Sequence, residues 1–363
     1  MLKETTALST AGFQVLVFAL WDLKMPQLEI IEGVKVHRFH LRSRVLPRCK
    51  IFLPLKFAEC ALRMFWLGVR ERPDIVHAHD LDGLTVAYLI AQCTKCSLIY
   101  DSHELWSGSG HLARYPNLAV KMAVVVERLM VKRANEVITV SDGIAMIMKK
   151  NFGIRRPTVV RNLPDQSSDN EDKDMRQLLG IPAESVIFLY IGGIIPDRGT
   201  DLILEAFTRV GDPKAHLVFL GQRELPTWLE ANLPSGVANR IHFLPPVHPR
   251  QVISLARGAD IGLHAIRGNS ESHRLCLPNK LFEYIHAGLA VLVTDLPEMA
   301  TIVSEHAVGC VFRDNDVKSL ESKMQFLLAH PEKVKQFRDA SREASKVLTW
   351  SAEKYLLLAV YQR

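Results

Sequence analysis

Short apolar, β-branched runs alternate with helix-patterned stretches along the whole chain, and they do so in two series. The first series is FQVLVFAL (13–20), GVKVHRFH (33–40), DIVHAHD (74–80), SLIYDSH (97–103) and EVITVS (136–141). The second is SVIFLYIGG (185–193), AHLVFLG (215–221), RIHFLPP (240–246), DIGLHAI (260–266) and AVLVTD (290–295), with helical stretches such as DLILEAFTRV (201–210) between them. Strands separated by helices fold as βαβ units, so each series predicts a doubly wound α/β sheet, mostly parallel, with helices on both faces. Between the two, RNLPDQSSDNEDKDM (161–175) is polar and acidic with almost nothing to bury, as a solvated linker is. The expected organisation is a first domain over 1–163, a linker over 164–175, a second domain over 176–345 and a terminal helical segment over 346–363.

A chain of 363 residues is long enough for two such cores. No stretch reaches the roughly 18 uninterrupted apolar residues of a membrane-spanning helix. The opening MLKETTALSTAGFQVLVFALWD has acidic flanks and an interrupting Gln14, unlike a secretory signal, so a cytoplasmic location is expected. The six cysteines have no framework spacing, and the lone CxxC of Cys93 and Cys96 lacks a second ligand pair. His77-x-His79 likewise lacks partners at a zinc-like spacing, and no metal site is expected. From Lys35 to Arg72 ten basic side chains face two acidic ones, interleaved with IFLPLKF and ALRMFWLGV. That pattern fits either a solvated basic face or peripheral attachment to an anionic membrane.

In open parallel sheets ligands bind beyond the carboxyl ends of strands, which directs attention to three loops. In YIGGIIPDRGTDLILEAF (190–207) a strand ends in Gly192-Gly193, where backbone can approach a ligand, and Arg198 precedes a helix N-terminus suited to an anion. The bland alternative is an ordinary turn with Thr200 or Asp201 as the helix cap. In PNKLFEYIHAGLAVLVTD (278–295) Pro278 fits the first helical position, placing Lys280 in the first turn and Glu283 one turn on. A lysine there opposes the helix dipole by roughly 0.3–1 kcal/mol, which makes sense if an anion such as a diphosphate lies against it, with Glu283 accepting from ribose hydroxyls. A surface ion pair between the two is the alternative. The third loop, IYDSHELWSG (99–108), sets His103 after a strand, in reach of a cleft.

Taken in order, VHAHD, YDSHE, VITVSDGI, VVRN (159–162), YIGG…DRG, LVFLG, PNKLFEYIHAGLAVLVTD and the late Trp350 resemble the retaining GT-B glycosyltransferases of family 4. That resemblance implies two Rossmann-like domains facing a cleft, the first on the acceptor side, with the terminal helix returning to it. It also implies transfer of a sugar from a nucleotide diphosphate sugar to a hydroxyl of a glycan or lipid-linked acceptor. Donor binding then falls to Gly192, Gly193, Arg198, Asn279, Lys280 and Glu283, and the catalytic group is His103, Arg198 and Lys280. No acidic pair for magnesium accompanies the phosphate loops, so neither metal nor other cofactor is expected, and nucleic acid is not an expected partner.

Three features depart from the family pattern. Its acidic residue eight before Glu283 is Leu275 here, and the first phosphate loop has Gly193 where many members carry arginine. LKETTALSTAGFQVLVFAL matches a first helix and second strand, so the first strand and its glycine-rich loop are expected to be missing and a strand edge left uncovered. A nucleotide-sugar epimerase or hydrolase on the same fold, or a binding protein that has lost catalysis, are the competing readings.

Overall fold

The computed structural model describes residues 2–21, 25–47, 49–110, 117–165, 174–195, 198–221, 226 and 236–362. In the first half the chain runs α1 (Leu2–Thr10), β1 (Leu16–Leu20), β2 (Leu28–Ile31), β3 (Val34–Phe39), α2 (Leu53–Glu71), β4 (Ile75–His79), α3 (Asp80–Thr94), β5 (Ser97–Ser102), α4 (Asn117–Val131), β6 (Glu136–Thr139), α5 (Asp142–Met148) and β7 (Thr158–Val159). Among the described residues these strands form two sheets, β1-β3-β2 and β4-β5-β6-β7, so β1 and β4 are each an edge. β4 to β7 are parallel throughout, whereas β2 pairs antiparallel with β3 through a tight turn at Glu32-Gly33.

The second half continues with α6 (Met175–Leu179), β8 (Val186–Ile191), α7 (Thr200–Val210), β9 (Ala215–Leu220), β10 (Ile241–Leu244), α8 (Val252–Ala256), β11 (Ile261–His264), α9 (Glu271–Arg274), α10 (Asn279–His286), β12 (Ala290–Thr294), α11 (Pro297–Glu305), β13 (Gly309–Phe312), α12 (Val317–Ala329), α13 (Pro331–Val347) and α14 (Trp350–Tyr361). Its sheet has the order β10-β9-β8-β11-β12-β13, all parallel. The strands are apolar on both sides because both faces are covered. Ile187, Leu189, Val291 and Val293 enter one core layer, while Phe188, Tyr190, Ala290 and Leu292 enter the other.

The reading of 161–175 as wholly solvated needs correcting at its ends. Residues 166–173 lie outside the described set, but Leu163 and Met175 are buried in one core layer of the second half. The polar composition of the segment as a whole hid two anchors. Pro164 is also held, its carbonyl accepting from Trp350 N at 3.1 Å. From there α14 lays Trp350, Leu357 and Val360 against Ile99, Ile138 and Val160 of the first half, together with Ala7 of α1. None of the described helices is long and apolar enough to cross a membrane.

Candidate active site

The strand β8 stops at Gly192 because the chain turns there with φ +120°, a conformation that side chains rarely adopt. The space this leaves is occupied: a Cβ on Gly192 would lie 2.9 Å from Lys280 Cε and 3.3 Å from Nζ. Gly193 beside it faces open space, and its carbonyl accepts from the Tyr190 hydroxyl at 3.3 Å. Lys280 itself is only 8% exposed and sits with Nζ 5.5 Å from the Tyr190 ring centroid, so its stem is packed and its ammonium looks onto the glycine loop.

Pro278 is not the first helical residue, as its position suggested. With φ −72° and ψ 139° it is the extended cap, and α10 begins at Asn279, which is exposed at the helix start. Lys280 still falls in the first turn, one residue earlier than expected. The alternative cap at Thr200 or Asp201 is also replaced: Gly199 caps α7 in the left-handed region at φ +67°. A Cβ there would lie 1.9 Å from the Ala265 carbonyl oxygen, so this turn is locked against β11 and fixes where the exposed Arg198 begins.

Burial drives the Lys280 ammonium down to about 8, and the nearby Arg198 charge pushes the same way, opposed by Glu283. Glu283 is raised above the ordinary carboxylate range by burial, with Lys280 and then Lys3 of the first half holding it back. Arg198 and Glu283 thus both act on Lys280, with opposite signs of charge. Lys3, whose Nζ donates to the Leu163 carbonyl at 2.7 Å, connects Glu283 to α1 and had no sequence signal.

Two further residues in this region escaped the sequence reading. The Tyr284 hydroxyl accepts from Ile191 N at 3.1 Å and donates to the Leu263 carbonyl at 2.9 Å, tying the ends of β8 and β11 together beneath the glycine loop. His264 is buried with neither ring nitrogen hydrogen-bonded, and burial followed by the Lys280 and Arg198 charges holds it well below its ordinary value. An uncharged imidazole in a strand core reads as an apolar position in the sequence, and its burial beside Lys280 appears only in the fold.

Leu275, at the position where the family carries an acid, packs against the apolar cluster of the first half, and its carbonyl accepts from Ser141 Oγ at 2.8 Å. Gly143 N donates to Glu298 Oε1 at 2.7 Å next to it, so this segment is a contact between the halves. The adjoining Cys276 thiol is pushed up to about 12 by burial and by Glu104, a carboxylate that follows His103.

His103 belongs to a second cluster, at the carboxyl ends of β4 and β5. His103 Nε2 and His79 Nδ1 are 2.9 Å apart, and the backbone N–H of His103 donates to Asp80 Oδ1 at 2.9 Å. Asp101 Oδ2 lies 3.5 Å from His77 Nε2, 3.6 Å from His79 Nδ1 and 3.6 Å from His103 Nε2. Burial works against ionisation of Asp101, yet the facing imidazoles, His77 first and then His103 and His79, hold its carboxyl below the ordinary range.

This pairing of two α/β halves, one with a glycine loop and a first-turn lysine, defines a GT-B fold of the glycosyltransferase type. The description "Glycosyl transferase 4-like domain" fits residues 4–163 and "Glycosyl transferases group 1" fits residues 185–330, and the chain belongs to this family of glycosyltransferases. Among relatives, the D-inositol 3-phosphate glycosyltransferase of Geodermatophilus obscurus is 24% identical over 79% of this chain and 66% of its own length. That of Segniliparus rotundus is 23% identical over 99% of this chain and 82% of its own length. The chain thus spans just under two-thirds of the length of the Geodermatophilus relative. Among solved structures, sucrose-phosphate synthase from Thermosynechococcus elongatus superposes with a TM-score of 0.83 at 16% identity, covering 99% of this chain and 91% of that one. Anabaena HepE in complex with UDP-glucose gives 0.77 at 15% identity, covering 99% and 95%.

Proposed function

We propose that the chain transfers a sugar from a nucleotide diphosphate sugar to a hydroxyl of a glycan or lipid-linked acceptor, with retention at the anomeric carbon, in polysaccharide or glycoconjugate synthesis. One observation carries the reading: a lysine buried in the first turn of a helix, pressed against a glycine whose missing side chain gives it room. Burying an ammonium at a helix N-terminus is doubly unfavourable without an anion, and a diphosphate supplies one. The donor class is supported by a structural neighbour that holds UDP-glucose, and a hydroxyl acceptor by relatives named for D-inositol 3-phosphate.

In this proposal Arg198 and Lys280 neutralise the charge that builds on the leaving diphosphate, without reorganising solvent. Gly192 and Gly193 let backbone approach it, Asn279 opens the helix toward it, and Glu283 accepts from the ribose hydroxyls. His103 meets the transferred sugar from the other side. Residues 1–163 form the acceptor side and 176–345 the donor side, joined through 164–175, with 346–363 returning to the first. Glu104, whose charge reaches Cys276 beside Leu275, is the candidate for the carboxylate that Leu275 does not supply. The basic stretch from Lys35 to Arg72 is assigned to the anionic inner face of the cytoplasmic membrane.

The test is product analysis after incubation with a panel of nucleotide diphosphate sugars, with and without polyol and lipid-linked acceptors. Acceptor-dependent release of nucleoside diphosphate with an unchanged anomeric configuration is expected. Free sugar or an epimer released equally without acceptor would replace this reading with a hydrolase or epimerase.

A further inference from the structure

Beyond the donor pocket, α1, β4 and β5 converge on a group of four metal-ligand side chains. Glu4 comes from the first turn of α1, His77 and His79 from one face of β4, and Asp101 from β5, where it stands in register opposite His79. Their ligand atoms all lie within 4.8 Å of one another. Neither carboxylate is a surface group: Asp101 is 4% exposed and Glu4 9%.

We infer that Glu4, His77, His79 and Asp101 form a binding site for one divalent transition-metal ion of the zinc class. Two of the separations are close to those of a bound ion, and the whole set lies within 4.8 Å. Four ligands at about 2.0–2.1 Å from a tetrahedral centre stand about 3.4 Å apart. His77 Nε2 and Asp101 Oδ2 are 3.5 Å apart, and His79 Nε2 and Glu4 Oε2 are 3.7 Å apart. The two rings stack at 4.5 Å between centroids and 21° between planes.

The outer partners fit as well. Metal-bound histidines characteristically anchor the ring nitrogen that faces away from the ion. Here His77 Nδ1 is hydrogen-bonded to the Tyr361 hydroxyl of α14, and His79 Nδ1 lies 2.9 Å from His103 Nε2. His77 Nε2, the nitrogen turned inward, is buried without a hydrogen-bond partner. A buried pair of carboxylates is a charge that the interior tolerates poorly unless a cation offsets it. Nitrogen and oxygen donors without a thiolate favour zinc, cobalt or nickel over copper(I) and over calcium. With the ion in place, His79 Nδ1–H donates to His103 Nε2 and fixes the proton of His103 on its other nitrogen, so the ion positions a residue of the cleft.

The assignment rests on α1, β4, β5 and the Tyr361 contact, and on none of the donor-side residues. Its failure leaves the sugar-transfer reading standing, and the reverse holds. The test uses the whole chain without an affinity tag, stripped by chelator and titrated with Co²⁺ and with Zn²⁺. One equivalent of Co²⁺ should develop the visible absorption of a four-coordinate site, and Zn²⁺ should displace it. His77→Gln and Glu4→Gln should each weaken binding by roughly 10–100-fold or more. The X-ray absorption spectrum of the wild-type zinc complex, which needs no variant, should show two imidazoles with oxygen at about 2.0–2.1 Å and no sulfur. Absence of stoichiometric binding, undiminished binding by a folded variant, or sulfur in the zinc shell would each overturn the inference.

Discussion

Lys280 answers to two opposing demands, and they separate by pH. A lysine titrates near 10.5 in the unfolded chain and near 8 in this fold, so between those values the unfolded state binds the additional proton. Stability therefore rises with pH across the window from about 8 to 10.5, and the cost of the buried charge is present in full below about 8. Ligand binding runs the other way, because the ammonium that burdens the fold is what holds a diphosphate. Affinity for nucleoside diphosphates should decline as pH passes about 8. Lys280→Met should raise the urea midpoint at pH 7 while weakening nucleotide binding, the trade-off of a strained functional residue. A Lys280→Met chain with a lower midpoint at pH 7 would show that the ammonium is a net stabiliser after all.

At the same scale, the donor-side residues were legible because their types are unusual for their places: a cation in a helix's first turn, paired glycines after a strand. Glu4, Lys3 and His264 were not legible, since each acquires its role from a distant segment. Glu4 reaches His79 across 75 positions of sequence, and nothing local in LKETTALST announces it. His77 and His79 were noted but lacked partners in the sequence, and the partners come from α1 and β5.

Among the elements, the turn at Gly199 tolerates change poorly. Gly199→Ala combines a left-handed backbone, unfavourable by roughly 1–2 kcal/mol for a residue with a Cβ, with a collision against the Ala265 carbonyl. A thermal midpoint lowered by several degrees is expected, with weaker nucleotide binding because Arg198 precedes it. Unchanged values would mean that the turn relaxes freely. The helix α2 carries the second elemental prediction. Phe57, Leu62 and Trp66 are exposed on it, Trp66 by 68%, beside Arg63, Arg70 and Arg72. Each basic side chain near an anionic surface contributes about 1 kcal/mol. Vesicles rich in anionic lipid should sediment the chain at low salt, and Phe57→Ser with Trp66→Ser should release it; sedimentation indifferent to salt, lipid charge and both substitutions would remove the membrane assignment.

Strand legibility followed pattern strength. The long apolar runs of the second half were readable because both faces of their sheet are buried. β2 was missed because LEII is short and its turn, Glu32-Gly33 with both φ positive, lacks the Asn-Gly or Asp-Gly signature. β13 was missed because GCVF is only four residues and opens on a glycine.

On the scale of the whole molecule, specific contacts join the two halves, and those of α14 bring the end of the chain back to the first half. Leu357 is fully buried against strands of the first half. Leu357→Ala should cost about 2–5 kcal/mol, read as lost hydrogen-exchange protection in β5 and β6 while β8 and β12 remain protected. Equal loss in both halves would make the chain one cooperative unit. The two-unit plan was legible from the repeated strand-helix alternation, whereas the division of the first half into two sheets was not, because pairing between strands leaves no trace in either one's composition.

The central claim is that Arg198, Lys280 and Glu283 hold a nucleotide diphosphate. Calorimetric titration of UDP, GDP and ADP into the folded wild type and into Arg198→Ala, Lys280→Ala and Glu283→Gln tests it directly. Loss of a charge-assisted contact costs roughly 1.5–3 kcal/mol, so at least one nucleotide should bind the wild type and bind each variant about ten- to hundredfold more weakly. Equal affinity in all four proteins, or no binding by a folded wild type, would contradict the assignment.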